Sequence, residues 1–197
     1  MTTVAEYREL IRSYMSDIDI GVLCLNAGCL PDGPVDLISD KDFEGVFGLN
    51  GIHVVLMTKA FLTTLLSREQ RSTIMITSSG LANISMPGIA AYCATKAMVS
   101  SFGQALHYEL RHKIDFTVWE PGPCYSNILK EGDMPAAITL TAEKAVRGVM
   151  RQIGRERITF GSYFFHLLML TMPPIGLIGN AAADFGRKKF IDRNPTN

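Results

Sequence analysis

The sequence predicts an α/β fold, a doubly wound parallel sheet, and three observations point to it. Short apolar runs ending in small or turn-forming residues recur along the chain, at Ile20–Leu25, Thr73–Thr77 and Asp115–Trp119. Between them lie long stretches with apolar residues at three- and four-residue spacing, the period of a helix packed on one face. The 197 residues, 47% of them hydrophobic, suffice for one domain with a sizeable core. Strand alternating with helix implies right-handed crossovers and a parallel sheet covered on both faces.

Val4, Tyr7, Leu10, Ile11 and Tyr14 make Thr2 to Ser16 an amphipathic helix, and Glu6, Arg8, Glu9 and Arg12 interrupt any signal-peptide core. Ile20–Leu25 is apolar throughout, which predicts a strand buried on both faces, and it closes on Asn26-Ala27-Gly28. Asp42 to Ser67 reads as one long helix. The strand Thr73–Thr77 closes on Ser78-Ser79-Gly80, and Ala90 to His112 forms the next helix. Asp115–Trp119 is stopped by Pro121-Gly122-Pro123, and Thr141 opens a further helix with Glu143 favouring its first turn.

Residues 1–157 are the α/β body, and residues 158–197 are a C-terminal segment of the same domain. From Ile158 to Ala183 there is no Asp, Glu, Lys or Arg, but Pro173-Pro174 and Gly176 argue against an uninterrupted membrane-spanning helix. Two readings of this segment stand. It covers an apolar ligand, or it rests on a membrane while Arg187, Lys188 and Lys189 meet anionic headgroups.

Composition narrows the function. With 19 basic against 19 acidic residues there is no electrostatic footprint for nucleic acid. Cys24, Cys29, Cys93 and Cys124 form no C-x-x-C pair and read as buried free thiols in a reducing compartment. His53, His107 and His112 lie on predicted helices without partner ligands, so no metal is expected, and His166 is a candidate substrate contact. The sequon Asn83-Ile84-Ser85 is taken as incidental, and Met86, Met98, Met134, Met150, Met169 and Met172 as core or pocket lining.

Tyr92 and Lys96 lie four apart at the start of a helix, so they share a face. Alone, that pair is weak. Ser79, at the end of the preceding strand, changes the weight, because the carboxyl ends of parallel strands are where open α/β sheets bind ligands. A phenol with an ordinary pKa near 10 is a poor proton carrier at neutral pH, and a neighbouring ammonium lowers it. A serine hydroxyl can hold a carbonyl or alcohol oxygen opposite the tyrosine. The three together suit acid/base work on a carbon that exchanges hydride with a cofactor.

On these residues the chain resembles the short-chain dehydrogenase/reductase family, and the pieces fall in family order. Asn26-Ala27-Gly28 is similar to the motif closing the family's fourth strand, and Asn50 in Gly48-Leu49-Asn50-Gly51 to its active-site asparagine. Thr77-Ser78-Ser79 resembles the serine segment, Tyr92-Cys93-Ala94-Thr95-Lys96 the tyrosine–lysine segment, and Pro121-Gly122 the opening of the nicotinamide loop. The resemblance implies a Rossmann-type fold with Tyr92 as general acid/base, Ser79 orienting the substrate oxygen, Lys96 binding ribose, and Asn50 holding a relay water. It implies cofactor contacts at Asn26, Ala27, Gly28, Tyr92, Lys96, Pro121, Gly122 and Ser126.

Ile18–Leu23 and Gly161-x-x-x-x-His166 resemble the 17β-hydroxysteroid dehydrogenase and very-long-chain 3-oxoacyl-CoA reductase branch. That likeness implies NADP, with NAD not excluded, an apolar steroid or fatty-acyl substrate interconverted between ketone and secondary alcohol, and attachment to the endoplasmic reticulum membrane, with a cytoplasmic location as the alternative.

Three departures stand out. Leu25 replaces the family's first asparagine, Ser126 stands where threonine is usual, and no Thr-Gly-x-x-x-Gly-x-Gly occurs. The fold expected is therefore one lacking the family's first three strands and its glycine-rich loop. Ile20–Leu25 then becomes an apolar sheet edge, which favours aggregation or pairing with a second copy. The alternative to an active enzyme is an inactive family member that associates with membrane or a partner subunit.

Overall fold

The computed structural model describes residues 3–31, 33–162, 184, 187, 188 and 190–193. Four parallel strands, β1 Val22–Leu25, β2 Ser72–Thr77, β3 Ile114–Trp119 and β4 Ile158–Thr159, stand side by side in chain order. Leu23 pairs with Ile74 and Ile74 with Phe116, so alternate residues line one face across three strands. This is the α/β parallel sheet that the sequence predicts. β4 was not foreseen, since two residues, Ile158 and Thr159, are too short for a pattern.

Helices α1 Val4–Met15, α3 His53–Ser67 and α4 Ala90–Leu110 cover that face. Leu23, Leu25, Ile74, Ile76, Ile114 and Phe116 meet Val54, Phe61 and Leu65 of α3 and Val99 and Leu106 of α4. Ile11 and Met15 of α1 pack against the same cluster. α1 begins in a capping box, where Thr3 Oγ1 accepts from Glu6 N and Glu6 reaches back to Thr3 N. Tyr7 then anchors it, bonding His53 Nδ1 at 2.8 Å.

The predicted helix Asp42–Ser67 begins earlier and is not uniform. α2, Asp40–Phe47, widens into a π-helical turn over Gly48–Ile52 before continuing as α3. Residues 40–67 are long and apolar enough by composition to cross a membrane. Their apolar side chains at Val46, Val54, Phe61 and Leu65 are buried in the protein instead.

The opposite face is only partly covered. α5, Ala142–Met150, lays Ala145 and Val149 over Met75 and Trp119, with Thr141 capping it by accepting from Lys144 N. Beside β1 no described helix lies on that side, and Val22 is 56% exposed. The expectation that Ile20–Leu25 is buried on both faces is therefore corrected. The run is apolar because the strand is built for two covered faces, and here the described chain supplies one. β1 is also an edge, as expected, with β2 its single neighbour among the described residues.

Met134 and Met150 are exposed and not core or pocket lining, and the thiols need a similar correction. All four cysteines are free, but Cys24 is exposed and Cys29 and Cys124 are half-buried; Cys93 alone is buried. Of the C-terminal segment, Arg187 makes a two-point ion pair with Asp36, at 3.0 and 2.8 Å, and Phe190 lies against Gly33. Arg187 thus has a protein partner, and Lys188 is exposed. His166, Met169, Met172, Pro173-Pro174, Gly176, Lys189 and the rest of the apolar stretch from 163 lie outside the described residues.

Candidate active site

The carboxyl ends of β1, β2 and β3 converge where α4 begins. β1 runs out into Asn26, whose Oδ1 accepts from Thr77 Oγ1 at 2.9 Å, so the ends of β1 and β2 are tied by side chains. β2 ends in Thr77-Ser78-Ser79. Ser78 N donates to Trp119 O and Gly80 N to Pro121 O, which fixes the loop after β2 against the loop after β3. Ser78 Oγ donates to Lys96 O at 2.7 Å, holding the same loop against α4.

On α4, Lys96 is 4% exposed and donates from Nζ to Thr77 O at 2.9 Å. Its ammonium lies 5.6 Å from the centre of the Tyr92 ring. Burial brings its pKa down from 10.5 to about 8. Ser79 lies close enough to the Tyr92 phenol to favour its ionised form, while its Oγ accepts from Leu81 N and caps the short helical turn Gly80–Asn83. Burial is the largest influence on Tyr92 and pushes its phenol above the ordinary value of 10, with Ser79 pulling back. The Lys96 ammonium faces the ring and bonds a carbonyl, and burial remains the largest influence on the phenol.

Asn50 sits fully buried on the π-helical turn, a distortion that often marks functional positions. Its Oδ1 accepts from Cys29 N and its Nδ2 donates to Cys29 O, both at 2.8 Å. The side chain also reaches Thr95 Oγ1 at 3.5 Å. Its amide is thus taken up with the Cys29 backbone, which makes Asn50 a positioning residue for the segment after β1. A Cβ on Gly28 would stand 3.1 Å from Asn50 Oδ1 and 3.5 Å from Lys96 Nζ, so this glycine lies directly against both.

Asn50, Ser79, Tyr92 and Lys96 are thus brought together with Gly28, and Asn26 joins through Thr77. Ala27 is exposed at the strand end, and Pro121 and Gly122 are half-buried beside Gly80. Ser126 is exposed, and its hydroxyl accepts from Ile128 N and Leu129 N within its own turn. Cys29, Thr77 and Ser78 also belong to the cluster and were missed, because their backbone and hydroxyl contacts leave no mark on residue spacing. The same holds for Glu120, a buried carboxylate just before Pro121. His107 meets Phe116 O and His53 meets Tyr7.

Comparison with known proteins follows the same lines. The model of the family described as short chain dehydrogenase matches residues 1–135. The 17-beta-hydroxysteroid dehydrogenase type 3 of Danio rerio is 32% identical over 164 residues, covering 80% of this chain and 53% of that protein. The very-long-chain 3-oxoacyl-CoA reductase of Macaca fascicularis is 27% identical over 171 residues, covering 85% and 54%. The chain spans about half the length of these curated relatives. Among solved structures, a 3-ketoacyl-(acyl-carrier-protein) reductase from Brucella melitensis, complexed with NADH, superposes with a TM-score of 0.68 at 21% identity. The match covers 79% of this chain and 69% of that one. A gluconate 5-dehydrogenase from Burkholderia cenocepacia J2315, in complex with NADP and tartrate, gives 0.61 at 22% identity over 70% of this chain and 54% of its own. At these identities the structural likeness concerns the fold.

Proposed function

This chain belongs to the short-chain dehydrogenase family, a family of oxidoreductases, and from that premise we propose that its site interconverts a ketone and a secondary alcohol on an apolar substrate with a nicotinamide cofactor. The observation that carries the reading is the meeting of Ser79, Tyr92 and Lys96 at the carboxyl end of the sheet. A substrate oxygen placed between Ser79 Oγ and Tyr92 Oη receives a hydrogen bond from each. In the reductive direction Tyr92 Oη gives its proton to that oxygen, and in the oxidative direction it takes the proton back. The Lys96 ammonium offsets the phenolate left behind, and Ser79 holds the oxygen while the charge shifts.

The residues fit a nicotinamide–ribose group. Lys96 has three N–H donors and gives one to Thr77 O, leaving two for ribose hydroxyls. Gly28 carries no side chain where a ligand would approach Asn50 and Lys96, and the exposed Asn26 and Ala27 line the same end of β1. Pro121 and Gly122 border the site from the β3 side, and Ser126 lies further along their loop. When bound, the cofactor supplies or accepts the hydride; NADP is the form the branch resemblance favours. The relatives' names, a steroid dehydrogenase and a very-long-chain 3-oxoacyl-CoA reductase, support a steroid or fatty-acyl substrate. The branch resemblance favours lipid metabolism at the endoplasmic reticulum as the setting, with residues 158–190 against the membrane surface and a cytoplasmic location as the alternative.

A second reading has its own observation. Among the described residues the outer side of β1 has no strand partner, which favours an inactive family member that associates with membrane, a partner or a second copy. Two measurements separate the readings. Titration of the chain with NADPH and NADH tests cofactor affinity; micromolar binding excludes the inert reading. Loss of nicotinamide absorbance with a steroid ketone or a 3-oxoacyl thioester then tests turnover. Tyr92→Phe is expected to lower that turnover roughly a thousandfold. Undiminished turnover in this variant would defeat the assignment.

A further inference from the structure

Glu120 is 1% exposed and takes no part in the chemistry just described. It follows Trp119 at the end of β3, and its backbone N–H donates to Thr159 O on β4 at 2.8 Å. Its two carboxylate oxygens reach different elements. Oε2 accepts from Asn83 Nδ2 at 2.7 Å, and Asn83 ends the short helical turn that Ser79 caps. Oε1 accepts from Ser100 Oγ, one helical turn beyond Lys96 on α4. Gln104 Nε2 donates to Ser100 Oγ at 3.0 Å, and Arg157 donates to Gln104 Oε1, so the chain of bonds ends on a guanidinium. A buried carboxylate is costly unless its oxygens are satisfied, and each of these has a donor.

We propose that Glu120 is a positioning residue that clamps the Ser79 turn to the Tyr92–Lys96 helix, so that Ser79 and Tyr92 are held in register. The inference rests on the reading of Ser79 and Tyr92 as the oxygen-binding pair and extends it to a residue outside the reacting groups. Ser79 is carried by a loop, and a loop serine keeps a fixed distance to a helical tyrosine only if something spans the two. Ser78 Oγ on Lys96 O is one such tie, placed before Ser79. The Glu120 bridge is the second, placed after it, and the two bracket the serine. The same carboxylate belongs to the residue that leads into Pro121-Gly122, so one side chain sets three edges of the site together.

The test reads the Tyr92 phenol rather than turnover. The groups that bear on Tyr92 are Ser79, Lys96, Cys29 and Cys93. Its titration is followed by the 13Cζ resonance of labelled tyrosine, assigned through Tyr92→Phe. Letting Ser79 drift from Tyr92 removes an influence that favours the phenolate, so Glu120→Ala and Asn83→Ala are each expected to lower the Tyr92 ionisation constant roughly threefold or more. Glu120→Gln, whose amide can accept from Asn83 and donate to Ser100, is expected to restore the wild-type titration. Asn83 is largely exposed, so Asn83→Ala keeps the fold and decides the matter if Glu120→Ala does not fold. A carboxylate acting only through its charge would give the opposite sign, since removing a negative charge raises the ionisation constant, and Glu120→Gln would then resemble Glu120→Ala. That pattern, or no change in Asn83→Ala, overturns the clamp. Absence of turnover with every cofactor and substrate, together with the expected titrations, defeats the catalytic reading and leaves the clamp standing.

Discussion

Lys96→Met is expected to make the fold more stable at neutral pH while removing the site's cofactor chemistry. The Lys96 ammonium is buried, and its pKa falls from 10.5 to about 8, a change that corresponds to about 3 kcal/mol against the folded state while the lysine is charged in both states. Methionine has a similar length and needs no desolvation, though it leaves Thr77 O without its donor at a cost of about 1 kcal/mol. The net gain expected near neutral pH is about 1–2 kcal/mol in denaturant unfolding. The sign of the pH dependence follows from the same shift. Between about pH 8 and 10.5 the unfolded chain holds the lysine proton that the folded chain has lost, so wild-type stability rises relative to the variant through that window. Above it the advantage of methionine is gone. A variant that is less stable near neutral pH, with a difference that does not change on going alkaline, would remove the argument.

Gly148→Ala is expected to be the most disruptive single substitution in the α5 layer. A Cβ at Gly148 would fall inside the Gly161 carbonyl group, so α5 cannot stay where it is. Gly161 in turn has φ +68, and a Cβ on it would meet Trp119 Nε1 at 3.0 Å. The glycine pair lets the helix approach the strand end closely enough for Ala145 and Val149 to cover Met75 and Trp119. Displacing α5 opens the only described helix layer on that face, at a cost of roughly 3 kcal/mol or more. Thermal melts of Gly148→Ala beside Gly45→Ala provide the comparison, because a Cβ at Gly45 meets nothing within 4 Å. Equal melting temperatures would show that α5 is not held by this contact.

Much of the architecture was legible because it is periodic. The apolar runs at Thr73–Thr77 and Asp115–Trp119 sit within one residue of β2 and β3, and their ends are written in Ser78-Ser79-Gly80 and Pro121-Gly122. Tyr92 and Lys96 were legible for a similar reason, since a helical turn puts residues four apart on one side. What could not be read was set by tertiary contact. Asn50 was picked out as a site residue, yet nothing in Gly48–Gly51 indicates that its amide would grip the Cys29 backbone. The direction of the Tyr92 shift depends on how deeply its phenolate is desolvated, and burial has no periodic signature. Glu120 looks in sequence like any loop carboxylate, and only the fold shows it bonded to both Asn83 and Ser100. The exposure of Val22 and Cys24 reverses the usual inference, for there a pattern for two covered faces meets one.

The order of the strands has a consequence for how the molecule is made. Because β1, β2, β3 and β4 stand in the sheet as they come off the ribosome, each new strand finds its hydrogen-bonding neighbour already synthesised. No described strand has to be threaded between two earlier ones, and assembly can advance by accretion from one side. Of the described strands, Val22–Leu25 is the first to be laid down, and among the described residues it is still unpaired on its outer side when Ile158 and Thr159 complete the other margin. Capture of that border therefore depends on something other than residues 72–159.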